Sequence, residues 1–292
     1  MLTTFLSTHE VRLLEGFQLQ PRRTFTGRQR GERLTKRKGI SIEFADYRDY
    51  NEGDDLRHLD WNVLARLQSP VIKTYQDEED TAVHLIVDCS PSMAFGDPTK
   101  LFMAQRLACA FGYVALGGGD AAYPRSIGTR SRSVGALRGR PNYARLTRWM
   151  EELTLGGKRA LSEELRELAR ADLVAGMVFV FTDGLDPDLP RALRVLAGRG
   201  HEVSVVQILC HDELNPDLEG DLRLIDSETG EAVEITANQA ALAEYQRRLS
   251  EHLGAIKKEC TSVGGRHAVV TPQTSFERLF KDIFPRGGWV VS

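Results

Sequence analysis

The chain predicts an α/β fold with a mostly parallel sheet flanked by helices, and three stretches carry that prediction. Ala82-Val83-His84-Leu85-Ile86-Val87-Asp88, Met177-Val178-Phe179-Val180-Phe181-Thr182-Asp183 and Val203-Ser204-Val205-Val206-Gln207-Ile208-Leu209 are short, rich in branched residues and apolar almost throughout. Apolar runs without polar alternation belong in a sheet that is covered on both faces. Longer segments with helical patterning lie between them, which is the alternation that winds helices around parallel strands.

The elements follow in order. Residues 5–19 carry Phe5, Leu6, Val11, Leu13, Leu14, Phe17 and Leu19 in an imperfect helical period and predict a short amphipathic helix. Val71 to Tyr75 reads as a strand running into an acidic turn at 77–80. After the strand at 83–87, a helix over 99–116 stops at Gly117-Gly118-Gly119, a short strand follows at 121–123, and a hairpin passes through 128–137. Helices are expected at 143–153 and 161–171, then the strand at 177–181. Pro190 suits the first turn of a helix reaching about 197, and the strand at 203–209 comes next. From 211 to 239 the pattern changes to acids and turn residues. Two alternating pieces there, Leu222 to Ile225 and Ala232 to Ile235, predict an inserted β-hairpin. A helix over 240–258, a strand at 267–270 and a helix over 275–284 complete the chain. Two regions are expected: an N-terminal extension, 1–80, and an α/β domain, 81–292, with the β insertion at 211–239.

Composition narrows the function classes. A net charge of -3 over 292 residues opposes wholesale attraction to nucleic acid or membrane. Cys89, Cys109, Cys210 and Cys260 are scattered with no metal-ligand spacing and read as buried thiols. Residues 1–20 lack a charged segment followed by an apolar core, and no apolar stretch reaches the roughly 20 residues of a membrane span. A cytoplasmic protein is the expectation. Charge is nevertheless uneven: residues 21–38 hold eight basic side chains against Glu32, and 39–60 hold seven acids against Arg48 and Arg57. These stretches pair with each other or lie solvated. A basic patch for an acidic partner is the alternative, and with Phe25 as its only aromatic it suits nucleic acid poorly.

The chemistry concentrates at Asp88-Cys89-Ser90-Pro91-Ser92. Ligands of α/β sheets gather beyond the carboxyl ends of the strands, where Asp88, Ser90 and Ser92 fall. Asp183 ends a second apolar strand in the same way. One carboxylate with two hydroxyls offers hard oxygen ligands of the kind Mg2+ takes while keeping several waters. The spacing Asp-x-Ser-x-Ser is that of the metal-ion-dependent adhesion motif of von Willebrand factor A-like domains, and the chain resembles one of them. Upstream, Glu43-Phe44, Arg48-x-Tyr50, Gly53-Asp54-Asp55-x-Arg57, Asp60-Trp61 and Ala65-Arg66 resemble the signature of the bacterial "domain of unknown function" 58 family, in which it precedes a von Willebrand A-like domain.

That resemblance implies a non-catalytic protein-interaction module whose genes neighbour MoxR-type AAA+ ATPases and which assists the assembly or activation of protein complexes. It also implies a metal set of Asp88, Ser90, Ser92 and Asp183, completed by a threonine from a later loop. Here the chain departs: where relatives show Gly-Gly-Thr, Gly156-Gly157 is followed by Lys158-Arg159-Ala160-Leu161. A cation at that place opposes a divalent ion and itself neutralises Asp88 or Asp183, while Thr154 and Ser162 are substitute oxygens at unusual spacing. In the signature, Arg48, Arg57 and Arg66 interleave with Asp46, Asp54, Asp55 and Asp60, a composition suited to Arg–carboxylate pairs that brace the extension. Gly53-Asp54-Asp55 reads as a turn.

Two rivals come from other classes. One is a metal-dependent hydrolase using Asp88 and Asp183, though no base accompanies them. The other is a nucleic-acid-associated protein using the basic stretch 21–38. Gly117-Gly118-Gly119-Asp120 lacks the Gly-Lys-Ser/Thr ending of a phosphate loop and reads as a helix stop. His84 reads as a packed strand residue, and Trp61, Trp149 and Trp289 read as core or interface anchors.

Overall fold

The computed structural model describes residues 5–23, 25, 43–50, 59–67, 70–76, 80–128, 133–157, 159–226 and 230–292. In chain order the elements are α1 (Thr8–Leu14), β1 (Gln18–Leu19), β2 (Glu43–Asp49), α2 (Trp61–Leu67), β3 (Val71–Gln76), β4 (Ala82–Asp88), α3 (Lys100–Gly117), β5 (Ala121–Ile127), β6 (Leu137–Arg138), α4 (Tyr143–Glu151), α5 (Leu161–Arg170), β7 (Gly176–Thr182), α6 (Leu189–Ala197) and β8 (Glu202–Ile208). There follow α7 (His211–Leu214), β9 (Gly220–Ile225), β10 (Ala232–Ala237), α8 (Gln239–Ser262), β11 (His267–Val270), α9 (Phe276–Arg278), a π turn (Leu279–Ile283), α10 (Phe284–Arg286) and β12 (Val290–Val291). The chain forms two compact units, Met1–Thr26 with Thr81–Ser292, and Gly27–Asp80.

The larger unit is a six-stranded sheet in the order β11-β8-β7-β4-β5-β6, parallel except for β6, with helices on both faces. This is a mixed α/β, Rossmann-like arrangement. The central strands explain it, because every residue of β4, β7 and β8 is buried. Alternate side chains feed opposite cores. Val83, Leu85 and Val87 of β4 join Met177, Phe179 and Phe181 of β7 in one cluster under α3 and α4, whereas Ile86, Val178 and Val180 join the cluster under α5, α6 and α8. Phe111 of α3 anchors the first cluster against Phe179, Phe284 and Trp289.

Several expectations are corrected. The helix predicted over 5–19 spans only Thr8–Leu14, started by a capping box between Ser7 and Glu10. Gln18 and Leu19 instead pair antiparallel with Val291 and Val290. Strand β5 runs on through Pro124 to Ile127. A proline is tolerated because β6 pairs only with Ala121 and Ala122, which leaves that side of β5 with little ladder to break. The C-terminal helix expected over 275–284 is interrupted by the π turn. The inserted hairpin is present as β9–β10, in register Val233↔Leu224 and Ala232↔Ile225.

The first residues stay with the larger unit through a buried ion pair between Arg266 and Glu202. Arg266 also donates to the Gln20 carbonyl (2.7 Å), and Glu202 accepts from the Arg22 amide (2.6 Å). All four cysteines are free and buried. Among the described residues, no helix is long and apolar enough to cross a membrane.

Candidate functional site at the carboxyl rim of the sheet

Strands β4 and β7 are neighbours in parallel register, Val87 opposite Phe181, so the residues that follow them emerge at one rim. The structure brings Asp88, Ser90, Ser92 and Asp183 together there as lining of a cavity of about 640 Å3. Asp88 is 2% exposed. Its Oδ2 accepts from the Thr182 hydroxyl (2.6 Å) and its Oδ1 from the Ser90 amide (2.9 Å). The Ser90 and Ser92 hydroxyls lie 3.0 Å apart.

Backbone contacts fix the serine loop. The Cys89 amide donates to the Ile127 carbonyl (2.8 Å), and the Cys89 carbonyl accepts from the Gly156 amide (2.9 Å). Gly128, at φ +81°, approaches so closely that a Cβ there would sit 2.6 Å from the Ser90 nitrogen. The Gly128 amide in turn donates to the buried Glu164 (3.2 Å). Burial pushes the Glu164 carboxyl up.

Asp183 is held from behind. Its Oδ2 takes the Lys100 ammonium at 2.9 Å, and the same ammonium reaches Glu213 Oε1 at 2.6 Å. Lys100, from the first turn of α3, is 1% exposed. Burial acts against its charge, but Asp183 and Glu213 together outweigh it and hold the ammonium above its ordinary pKa. The turn after β7 is pinned as well: Gln207 donates to the Asp183 carbonyl (2.7 Å), and His252 sits 2.6 Å from the Gly184 carbonyl. Among the described residues, no cation stands beside Asp88 as Lys100 stands beside Asp183. Burial, then repulsion from Asp183, pushes its carboxyl up to about 6.

The sequence places the cation that would stand in for an ion at Lys158 or Arg159. Lys158 lies outside the described residues, and Arg159 pairs instead with Glu167 on the exposed side of α5 (2.9 Å). Ser162, three residues on, is engaged through its amide with Asp186 (2.8 Å). The cation on Asp183 is Lys100. The sequence reading missed it together with Glu213, Glu164 and Thr182; Thr182 alone had a local signal, standing beside Asp183 at the end of an apolar strand.

The donor set fits a hard divalent ion in character. Two carboxylates and two hydroxyls line one cavity, and the mutual repulsion that raises Asp88 is what a cation relieves. Among the described residues no group of three or more His, Cys, Asp or Glu could hold a metal, so the serine oxygens are indispensable to such a site.

In the smaller unit, β2 and β3 form an antiparallel ribbon with a bulge between Phe44 and Asp46. Asp60 caps α2, accepting from the Asn62 and Val63 amides (2.9 and 3.2 Å) and from the Tyr47 hydroxyl (3.0 Å). The Tyr50 amide donates to the Pro70 carbonyl (3.0 Å). Arg48 and Arg66 are exposed, and Arg48 reaches the Asp49 carbonyl (3.5 Å). Trp61 is not a core anchor but is 62% exposed, whereas Trp149 and Trp289 are buried. Gly53, Asp54, Asp55 and Arg57, the acidic turn at 77–79 and the basic stretch from 26 to 38 lie outside the described residues.

The chain is similar to Uncharacterized protein Rv1480 of Mycobacterium tuberculosis and Uncharacterized protein Mb1516 of Mycobacterium bovis, at 27% identity over 259 residues in each case, covering 86% of this chain and 81% of theirs. Among solved structures it is similar to the conserved hypothetical protein BatB from Bacteroides thetaiotaomicron, at 16% identity and a TM-score of 0.43 over 70% of this chain and 98% of that one. It is also similar to an aerotolerance-related membrane protein from Bacteroides fragilis, at 16% identity and a TM-score of 0.46 over 71% and 98%. A family model described as "Protein of unknown function DUF58" matches residues 46–254, well over half of the length. The chain therefore belongs to the DUF58 family.

Proposed function

We propose that this protein is a non-catalytic interaction module with a von Willebrand A-like fold, binding a protein partner at the rim that carries Asp88, Ser90, Ser92 and Asp183. The observation that carries the reading is the convergence of two acids and two hydroxyls in one cavity at the carboxyl ends of adjacent strands. Mg2+ is the cofactor of this proposal, held by those four residues; when bound it supplies an open coordination position for a partner carboxylate. The chain's own groups orient the site. Thr182 and the Ser90 amide fix the Asp88 carboxylate, and Lys100 fixes Asp183.

The hydrolase reading would use the same acids to hold an ion and needs a further base for the attacking water; the described lining of the cavity offers no histidine, cysteine or lysine for that role. The partner proposed is a MoxR-type AAA+ ATPase or its client, in a cytoplasmic setting.

Calorimetric titration with Mg2+ and Mn2+ tests the ion. Heat is expected for the wild type and none for Asp88→Ala. Co-purification with a MoxR-type ATPase from the same genome tests the partner, with capture expected to fall in Asp88→Ala and in EDTA. Phosphoester turnover that requires Asp183 and added divalent ion would overturn the non-catalytic reading.

A further inference from the structure

Between Ala121 and Met150 the chain holds seven arginines and no lysine, histidine, aspartate or glutamate. A stretch of +7 within a chain of net charge -3 leaves the remainder at -10. The structure folds this stretch into the edge of the large sheet, β5 and β6, and the helix that follows, α4. Arg138 of β6 pairs with Ala121, the first residue of β5, so the turn after β6 and the start of α4 lie at the end of the sheet opposite the rim. Arg140 stands in that turn. Arg145 and Arg148 lie on the outer side of α4, whose inner side buries Leu146, Trp149 and Met150. All three arginines are exposed, and among the described residues none has an ion-pair partner. The platform beneath them is held in place. The Asn142 side-chain amide donates to the Arg138 carbonyl (2.7 Å), and the Arg140 guanidinium lies 6.0 Å over the Tyr113 ring.

These placements cost the fold instead of helping it. Peptide dipoles leave a positive end at the first turn of a helix, which favours acids there; α4 has none in that turn and carries Arg145 instead. Arg145 and Arg148, three residues apart on one helix face, repel each other. Local choices that oppose the fold are expected where a surface serves something else. Charge and surface then select the occupant. The planar guanidinium fork matches carboxylate or phosphate oxygens two at a time. Among the described residues no large apolar side chain between 121 and 150 is exposed, so the face offers no ring to a nucleic-acid base and no anchor to a bilayer. A polyanion as large as the molecule also meets the -10 of the remainder, whereas a short acidic segment is screened from charges beyond about 8 Å at physiological salt.

We infer that the outer face of α4, with the turn before it, is a second docking surface, taking a short acidic segment of a partner protein on Arg140, Arg145 and Arg148. Arg145 and Arg148 are helix neighbours with Cβ atoms about 5–6 Å apart, so they suit two carboxylates at that spacing. The surface needs no ion and stands independently of the rim.

Fluorescence anisotropy with a labelled oligoglutamate peptide tests this on the full chain, in EDTA so that no divalent ion recruits the peptide to the rim. A thymidine oligonucleotide of equal charge and vesicles of phosphatidylserine in phosphatidylcholine are measured beside it. The peptide is expected to bind best of the three, more weakly as salt rises, and roughly tenfold more weakly to Arg145→Glu/Arg148→Ala, the scale of two exposed ion pairs lost and one repulsion gained. That variant puts an acid where the helix dipole favours one and alanine where helix propensity does, so its melting temperature is expected to stay at or above that of the wild type. Arg170→Ala/Arg199→Glu, the same change of charge at two other exposed arginines, is expected to bind the peptide as the wild type does. No binding of the peptide, equal binding to both double variants, or tighter binding of the oligonucleotide or vesicles overturns the assignment. Self-association at low salt that Arg145→Glu/Arg148→Ala abolishes would overturn it in favour of a second copy of the chain. Peptide binding is expected to survive Asp88→Ala, so failure here and failure of the rim are read separately.

Discussion

Replacing Lys100 by methionine removes a charge that the interior of the protein is built around. The ammonium is 2.9 Å from Asp183 Oδ2 and 2.6 Å from Glu213 Oε1, and the side chains of Lys100, Asp183 and Glu213 are 1%, 4% and 20% exposed. Methionine fills much the same volume, so cavity formation contributes little. What remains is a buried carboxylate whose Oδ1 has a long contact, 3.4 Å, to the Leu185 amide. Removing one partner of a buried pair costs about 3–5 kcal/mol, because the other charge is left uncompensated. Glu213 can turn toward water and carries less of the loss. At about 2–4 °C per kcal/mol for a unit of this size, the melting temperature of Lys100→Met should fall by roughly 6–20 °C. Urea unfolding followed by fluorescence of the buried Trp149 and Trp289 reads the same quantity. The double variant Lys100→Met/Asp183→Asn removes the stranded charge along with the cation and should recover most of the stability. A loss below about 1 kcal/mol, or a double variant no better than the single one, would refute the argument that Lys100 is a buried counter-ion.

Acid stability should carry the signature of His84. It is 1% exposed, stacked on Tyr123 at 4.9 Å and edge-on to His201 at 5.4 Å. Burial, with His201 and Arg125 nearby, holds it down at about 4 against an ordinary 6.5. The unfolded chain takes up this proton first, so the contribution is complete above about 6.5 and declines as pH falls toward about 4, by about 3 kcal/mol in all. Wild type minus His84→Gln isolates that slope; parallel pH curves for the two proteins would refute it. Gly265→Ala should be severely destabilising, above about 3 kcal/mol, since its Cβ would fall 1.7 Å from the Val203 carbonyl oxygen. Gly254→Ala, in open space on α8, should instead raise the melting temperature by the few degrees that roughly 1 kcal/mol of helix propensity represents.

The central strands and the rim acids are legible because the information is local. Each apolar run stops at an acid, and parallel neighbours deliver those acids to one edge. Lys100 is not legible. It follows Asp97-Pro98-Thr99, where Thr99 caps α3 by accepting from the Phe102 amide, and so it reads as an ordinary helix start. Its partners Asp183 and Glu213 lie 83 and 113 residues away. The same holds for the first residues of the chain, whose grouping with the larger unit depends on Arg22 meeting Glu202, 180 residues distant. The shortness of α1 and the length of β5 escape for another reason: pairing with β12 and an open strand edge override helical period and proline alike. The hairpin at 220–237 is readable from alternation, but its position beside the rim is a tertiary fact.

The way Gly128 and Gly156 clamp the serine loop bears on how quickly any visitor would leave. Under the proposed binding function, a loop held by its own main chain before anything arrives would lose little freedom on contact, and recognition would resemble a key meeting a finished lock. Variation among partners would then appear chiefly as residence time, with encounter rates nearly constant. A side chain at residue 128 would push the loop outward from its Ser90 end, and on the proposed function the preset site would then have to reorganise before anything could bind.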